Sequence, residues 1–383
     1  MVKSIGIDSG TKTMDIFGFD DKDGSIIIDV AIPRDEITKS AKLVVEKIRE
    51  TQERFGKIDA IVGPSGYGMH LKKAKEATDE DIASATFVTE ADIKRRLKII
   101  GLRELMLLLR DAEDLNTCFT QGVIHLRTVP KYRKANRIDM GTSDKVLSVI
   151  LAVKNQAERL GVPYDKTSFI LVEVGFGYTS AIAVKNGQII DAMAGTAGFP
   201  SFLGMGFLDS EVAYAVANAT DDFSKMLLFA GGTASFAGFD SSKPLDEFVK
   251  SAKTDERAKQ GYDMMLEGIV KDVASLLPNV KPREIVLSGR FTRIPEFLDA
   301  MKRALSGFFA ETGLKVGIVV LESKAAVTKQ AAEGAAVFAN GLAGGKYKQL
   351  IDAMRLRESE GTVFSNIYLG EKVAEGLGQF KKL

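Results

Sequence analysis

Two stretches of this chain, 165 residues apart, share one pattern: "IGIDSGTKTMDIFGFD" (5–20) and "FILVEVGFGYTSAIAV" (169–184). In each, an apolar run ends in a carboxylate (Asp8, Glu173), and glycine follows two residues on (Gly10, Gly175). Hydroxyl residues lie beyond it (Thr11 and Thr13; Thr179), and a second apolar run completes a hairpin. A third run follows each pair: "SIIIDVAI" (25–32) after the turn signal "DKDG" (21–24), and "QIIDAMAG" after Asn186-Gly187. Two copies of strand, acidic turn, strand, turn, strand, each succeeded by helices and further strands, imply an internal duplication of one α/β unit.

The chemistry of such turns is specific. Glycine lets backbone N–H groups approach an anion without a Cβ in the way, and the hydroxyls add donors, so a pair of these hairpins can clasp a polyphosphate from opposite sides. A carboxylate at each strand end repels phosphate, which makes sense when a cation lies between; Mg²⁺, held by carboxylate, water and phosphate oxygens, fits that role. Asp8 and Glu173 are thus the candidate metal ligands. Lys12 is placed to contact a β- or γ-phosphate, or to be a solvated turn lysine. The plainer reading of Asp8 is an aspartate that closes its own turn.

The rest of the chain reads as helices and strands in alternation. Ile37, Ala41, Val44, Val45 and Ile48 give a helix over 35–55, with Asp35 as N-cap and Gly56 as stop. Strands are expected at 57–64, in "GVIHLRTV" (122–129), at 284–289 and at 315–321. Helices are expected over 90–111, from Thr142 to Gly161, over 255–277, from Ile294, and over 327–343. The domain division that follows is 1–160, with 340–383 packing back on it, and 161–339.

Composition narrows the function. The 383 residues suffice for two domains, and a net charge of +1 gives no sign of a nucleic-acid or anionic-membrane partner. "LKIIGLRELMLLLR" carries Arg103 and Glu104 in its middle and is not a membrane span. One cysteine, Cys118, allows no internal disulfide or iron–sulfur cluster, and two histidines, His70 and His125, no histidine-rich metal site. A strand begins directly after Lys3, so no signal peptide is expected, and the expected location is cytoplasmic. Cys118, His125 and the aromatic and methionine residues of "FPSFLGMGF" (199–207) read as packing residues, although a small acyl chain could use the last.

These motifs resemble those of the acetate and sugar kinase, heat-shock chaperone and actin superfamily. The two hairpins are similar to its two phosphate motifs. "EIVLSGRFTRIPEFLDAM" (284–301) is similar to its adenosine motif, and the helices from Thr142 and in "VTKQAAEGAAVFANGLAGG" (327–345) to its two connecting helices. Ser148 and Ala152 on the first, and Ala331, Ala335 and Ala339 on the second, are small enough for a close crossing. Glu173 stands where that family has aspartate, and Arg290 replaces the second glycine of its adenosine turn; "FAGGTASF" (229–236) offers a Gly-Gly elsewhere. Within the superfamily the chain most resembles an archaeal domain-of-unknown-function family described as predicted butyrate kinases, through "IVGPSGYG" (61–68), "NRIDMGTSDK" (136–145) and "EGAAVFANGLAGG".

The resemblance implies an α/β fold of two actin-like (ribonuclease H-like) domains with a nucleotide cleft between them, closing over Mg-ATP. It implies nucleotide contacts from Asp8, Gly10, Thr11, Lys12, Thr13, Glu173, Gly175, Gly177, Tyr178, Thr179, Gly289 and Arg290. In sugar kinases of this superfamily an aspartate near the first connecting helix takes the acceptor's proton; Asp139 matches it best, Asp144 next, with Arg137 beside them. A carboxylate acceptor needs no base but needs cations, which Arg127, Lys131, Arg133, Lys134 and Arg137 could supply. Ser65 and Tyr67 are either acceptor contacts or parts of a glycine-rich connection. The expected activity is an ATP-dependent phosphotransferase acting on a short-chain carboxylate, butyrate kinase-like. The alternatives are a sugar or polyol kinase, and an ATPase switch acting on a protein partner. A small-molecule acceptor is the expected partner, and a homodimer is left open.

Overall fold

Residues 4 to 8 and 14 to 19 are buried without alternation, the signature of a sheet covered on both faces. They form β1 (Lys3–Ser9) and β2 (Thr13–Asp20) in a computed structural model that describes residues 1–95, 99–220 and 223–382. The other strands are β3 (Ile26–Pro33), β4 (Ala60–Val62), β5 (Lys72–Lys73), β6 (Thr117–Phe119), β7 (Ser168–Val174), β8 (Thr179–Lys185), β9 (Gln188–Ala194), β10 (Glu284–Ser288) and β11 (Gly317–Val320). The longer helices are α1 (Lys42–Phe55), α2 (Ile99–Asp111), α3 (Ser143–Leu160), α4 (Ser210–Ala219), α5 (Glu256–Leu276), α6 (Pro295–Thr312) and α7 (Gln330–Leu342).

One sheet has the order β3-β2-β1-β4-β6-β5 and the other β11-β10-β7-β8-β9. In the first, β1 pairs antiparallel with β2 and parallel with β4; in the second, β7 pairs antiparallel with β8 and parallel with β10. The duplication inferred from the two acidic turns is therefore a duplication of sheet topology.

The chain divides into two units. The first comprises Met1–Thr167, Asn186–Ile190 and Leu321–Leu383; the second comprises Ser168–Lys185 and Asp191–Val320. Both helices expected as connectors, α3 and α7, belong to the first unit, so residues 330–339 of α7, which the sequence outline places in the second domain, fall in the first. A Cβ on Gly334 would lie 2.0 Å from the Leu147 carbonyl oxygen, so α7 and α3 touch backbone to backbone there. Gly6 serves the same end on β1: its Cβ would sit 2.2 Å from the Ala336 nitrogen. The C-terminal segment also returns to this unit, with the Phe380 ring stacked on Phe87 at 4.2 Å.

Some elements differ from expectation for local reasons. The helix over 35–55 is two, Arg34–Lys39 and α1, because Ser40 is extended (φ −154°, ψ 100°); Asp35 sits in the first turn rather than at its cap. The helix over 90–111 appears as Glu90–Lys94 and α2, and residues 96–98 lie outside the described residues. "GVIHLRTV" is not a strand. Val123–His125 form one 3₁₀ turn, with the Val123 N–H on the Gly141 carbonyl, and β6 is the strand that precedes it. Strands β4 and β11 are shorter than expected. Helix α7 begins at Gln330, not 327, because the preceding N–H groups go elsewhere: those of Ala326, Val327 and Thr328 donate to the Asp29 carboxylate, and that of Lys329 to Asp15. Gly161 (φ 62°) closes α3 as expected.

Candidate functional site

In the first unit, the connection between β1 and β2 is closed by the Gly10 N–H donating to the Thr13 carbonyl at 3.0 Å, and Asp8 faces Asp15 across the ladder. In the second unit, the Gly175 N–H donates to the Tyr178 carbonyl at the same 3.0 Å, and Glu173 faces Ser180. The two turns are equivalent position by position. What surrounds them is not.

Asp8 is 1% exposed, and its Oδ2 receives the ammonium of Lys329 from the residue that precedes α7. Lys329 is held at its other end too: its backbone N–H donates to Asp15 Oδ2 at 2.9 Å, and Nζ lies 3.9 Å from that oxygen. Asp8 Oδ1 and Asp15 Oδ1, both buried, have no hydrogen-bond partner among the described residues. Arg34, buried under the turn, donates from its guanidinium to Ser9 Oγ at 2.9 Å. Asp144, at the start of α3, accepts a hydrogen bond from the Thr142 hydroxyl and pairs with Lys145 at 2.8 Å.

Burial sets the electrostatics of this cluster. It pushes the Asp8 carboxyl up to about 6, against the pull of Lys329, and Asp144 and Asp15 add to the rise. It would strip the proton from Lys329, but the carboxylates, Asp8 foremost, outweigh it and raise the ammonium's pKa. Burial brings Arg34 down to about 10, with Asp8 opposing. It would raise Asp144 as well, but Lys145 prevails and holds that carboxyl below its ordinary range.

Glycine at position 10 has a reason the sequence did not supply. A Cβ there would lie 2.2 Å from Lys329 Nζ. The turn is cut back for the lysine, whatever else it also receives. Thr11 and Lys12 are exposed at the tip of the turn, and the Lys12 carbonyl accepts the Arg34 N–H at 2.9 Å. Thr13, half-buried, opens β2.

The second turn is lined by hydroxyls. Thr179, Ser180 and Ser288 are buried, and their hydroxyl oxygens have no partner among the described residues; Glu173 lies opposite both serines in the ladders. Gly289 (φ 95°) brings β10 against β7, since its Cβ would be 2.4 Å from the Val174 carbonyl oxygen, and so sets Arg290 beside the turn's first strand. Gly177 and Tyr178 do structural work. The Gly177 carbonyl accepts the Gly204 N–H at 2.9 Å, and the Tyr178 hydroxyl donates to the Leu228 carbonyl at 3.0 Å with its ring on Phe229. "FAGGTASF" packs on the 201–204 loop, the Gly232 N–H donating to Leu203.

Of the expected catalytic residues, Asp144 joins the Asp8 cluster. Asp139 Oδ1 instead accepts the Gly141 N–H at 2.8 Å in its own loop, and half-buried Arg137 lies in the same loop. Ser65 is fully buried, donating to the Gly63 carbonyl at 3.1 Å and accepting the Thr120 N–H at 2.9 Å, so its hydroxyl ties loops together. The Tyr67 ring meets Phe87 edge-on at 5.7 Å. The basic segment is partly tied down: Arg127 bonds Glu360 at 2.6 Å, Arg133 the Ile190 carbonyl at 2.8 Å, and buried Lys134 the Leu126 carbonyl at 2.6 Å, while Arg127 and Lys131 are exposed. His125 is buried as expected; burial brings it down to about 3, and its Nδ1 accepts the Gly122 N–H.

Sequence reasoning missed Lys329, Asp15, Arg34 and Asp29. Asp15 was findable, because a connection centred between Thr11 and Lys12 makes 8 and 15 register partners. Lys329 lies 321 positions from Asp8 and carries no local signal beyond preceding a helix of small residues.

Sheets of this order in duplicate, each with an acidic first turn, define an α/β protein of two actin-like domains. Solved structures agree. The chain is similar to acetate kinase from Porphyromonas gingivalis (TM-score 0.62, 16% identity, covering 88% of this chain and 99% of that one). It is also similar to a propionate kinase from Francisella tularensis (TM-score 0.60, 17% identity, 87% and 99%) and to acetate kinase from Entamoeba histolytica (TM-score 0.58, 12% identity, 81% and 87%). By sequence, the chain belongs to the family described as "Protein of unknown function (DUF1464)", which it matches over residues 6–369. No curated protein matches it. Among the described residues no helix is long and apolar enough to cross a membrane, and no group of three or more His, Cys, Asp or Glu is arranged to hold a metal ion.

Proposed function

We propose that this protein is an ATP-dependent phosphotransferase whose acceptor is a short-chain carboxylate such as butyrate. The observation that carries the reading is the pair of equivalent turns, Asp8–Thr13 and Glu173–Thr179, with identical closing bonds and register on a fold shared with acetate and propionate kinases. Turns of this kind hold phosphate through backbone N–H groups and hydroxyls, with Thr11, Lys12 and Thr13 in one, and Gly175 and Thr179 in the other. Gly289 and Arg290 are the proposed nucleoside contacts.

The reaction is the attack of a carboxylate oxygen on the γ-phosphorus; the new O–P bond forms as the bond to ADP breaks. The acceptor arrives already ionised, so no base is required, and the protein's contribution is position and positive charge against the transferring group. Lys329 and Arg34 supply charge at the first turn. Asp144, kept ionised by Lys145, and the Asp139 loop with Arg137 are the proposed flank for the acceptor. The Lys329 ammonium occupies Asp8 Oδ2, so direct ligation of magnesium by Asp8 would be confined to Oδ1, and this scheme assigns it no resident magnesium. Magnesium enters this scheme only as part of the Mg-ATP substrate.

The test is ATP consumption with acetate, propionate, butyrate and longer acids, trapping acyl phosphate with hydroxylamine. Acid-dependent hydroxamate is the expected result. Phosphate esters formed from sugars or polyols, with no hydroxamate, would replace the carboxylate with a hydroxyl acceptor. Slow hydrolysis indifferent to any acceptor would mark an ATPase switch.

A further inference from the structure

We propose that Lys329 is a tethered counter-cation: at the Asp8 turn its ammonium takes the place that a resident divalent ion would hold, and it is the group that meets an incoming phosphate. The second half rests on the phosphotransferase reading; the first does not.

Independent features of the structure converge on this residue. Its ammonium sits on Asp8 Oδ2 and within 3.9 Å of Asp15. Its backbone is fixed, with its own N–H on Asp15 and those of the three preceding residues on Asp29, so the side chain enters from an immobile anchor. The turn is shaped for it, since a side chain at position 10 would collide with Nζ at 2.2 Å and Cε at 3.1 Å. Finally, the carboxylates it bridges are not exhausted: Asp8 Oδ1 and Asp15 Oδ1, on residues 1% exposed, have no partner among the described residues.

A mere staple between a helix and a sheet would not require glycine in a phosphate-type turn. A fixed +1 charge at this point does two things that a metal does elsewhere. It neutralises one of two facing carboxylates, and it presents a positive charge beside backbone N–H groups aimed at an anion. Unlike a metal it cannot leave, so the positive charge at this turn does not depend on free divalent ion.

The experiment uses the full chain and Mn²⁺ as probe, followed by electron paramagnetic resonance and thermal shift without nucleotide, and then ADP titration in EDTA. Wild type is expected to bind no Mn²⁺ and to keep its ADP affinity in EDTA. Lys329→Gln is expected to gain a Mn²⁺ site, to melt lower, to be restored by Mn²⁺, and to lose ADP affinity in EDTA by about tenfold or more, the scale of a lost charge-assisted bond. Lys329→Arg should follow wild type. Should Lys329→Gln fail to fold, Gly10→Ala displaces only the far end of the flexible lysine and should move both readouts in the same direction. Wild type that binds Mn²⁺ without nucleotide, or a folded Lys329→Gln or Gly10→Ala variant that gains none, would overturn the counter-cation role. If wild type binds no ADP with or without magnesium, the nucleotide reading fails, while the Mn²⁺ comparison still decides what Lys329 does.

Discussion

Replacing Asp272 with asparagine should change how the stability of the second unit depends on pH. Asp272 lies on α5, 1% exposed, and makes one hydrogen bond: its Oδ1 accepts the Phe199 N–H at 3.1 Å. Oδ2 has no partner among the described residues. Burial pushes the carboxyl up to about 7, against the pull of that N–H. The native state therefore holds the proton more tightly than the unfolded chain, whose carboxyl titrates near 3.8. Stability is full below that value, falls as pH rises toward about 7, and is level above it. At 1.36 kcal/mol per pH unit the whole fall is at most about 4 kcal/mol. The asparagine keeps an acceptor for Phe199 and carries no charge. Below pH 3.8 the acid is protonated in both states and presents an O–H where the amide presents N–H, so variant and wild type should agree to within about 1 kcal/mol; near pH 5 the unfolded carboxyl is already ionised, and the variant should lead by about 1–2 kcal/mol. Near pH 8 the variant should be the more stable. Calorimetry of both proteins at several pH values measures the difference directly. A difference that stays constant from pH 5 to 8 would show that the carboxyl titrates as it does in water, and that the Gly198–Phe199 segment does not desolvate it.

Gly334→Val should be far more damaging than its exposure-blind chemistry suggests, because its Cβ would fall 2.0 Å from the Leu147 carbonyl. A melting temperature within a few degrees of wild type would contradict the backbone contact between α3 and α7; over-packing at a rigid site costs about 1–3 kcal/mol or more. Asp139→Ala removes the acceptor of the Gly141 N–H and should lower stability by about 1 kcal/mol. It should reduce hydroxamate formation from a carboxylate acceptor less than about tenfold, whereas loss of a general base costs about 10²–10⁴. A loss of the larger size with a carboxylate would return Asp139 to the chemistry.

What could be read from the sequence was local. The hairpin at 3–33 and its copy follow from apolar runs and turn residues a few positions apart, and the end of α3 follows from Gly161 at positive φ. At Ser40 the break is local, an extended residue whose N–H stays on Glu36. Two of the failures have a distant cause: at 326–329 and at Val123, local propensity would have carried a helix or strand further, but backbone N–H groups found partners outside their own segment, Asp29 almost 300 positions away and Gly141. Periodicity contains no record of such partners.

The glycines of the two turns make the same point about motifs and carry it into function. Gly10 and Gly175 occupy one position in a duplicated hairpin, and a phosphate motif explains both equally. A Cβ at either glycine would crowd the closing carbonyl of its own turn, Thr13 or Tyr178, but at Gly10 it would also strike a lysine from the far end of the chain, and nothing comparable lies near Gly175 among the described residues. Thus the same letter is kept for different reasons. The first turn carries a built-in cation over buried carboxylates, and the second carries hydroxyls, Thr179 and Ser180, beside Glu173. Duplication preserved the backbone of the turn, and divergence assigned its charge.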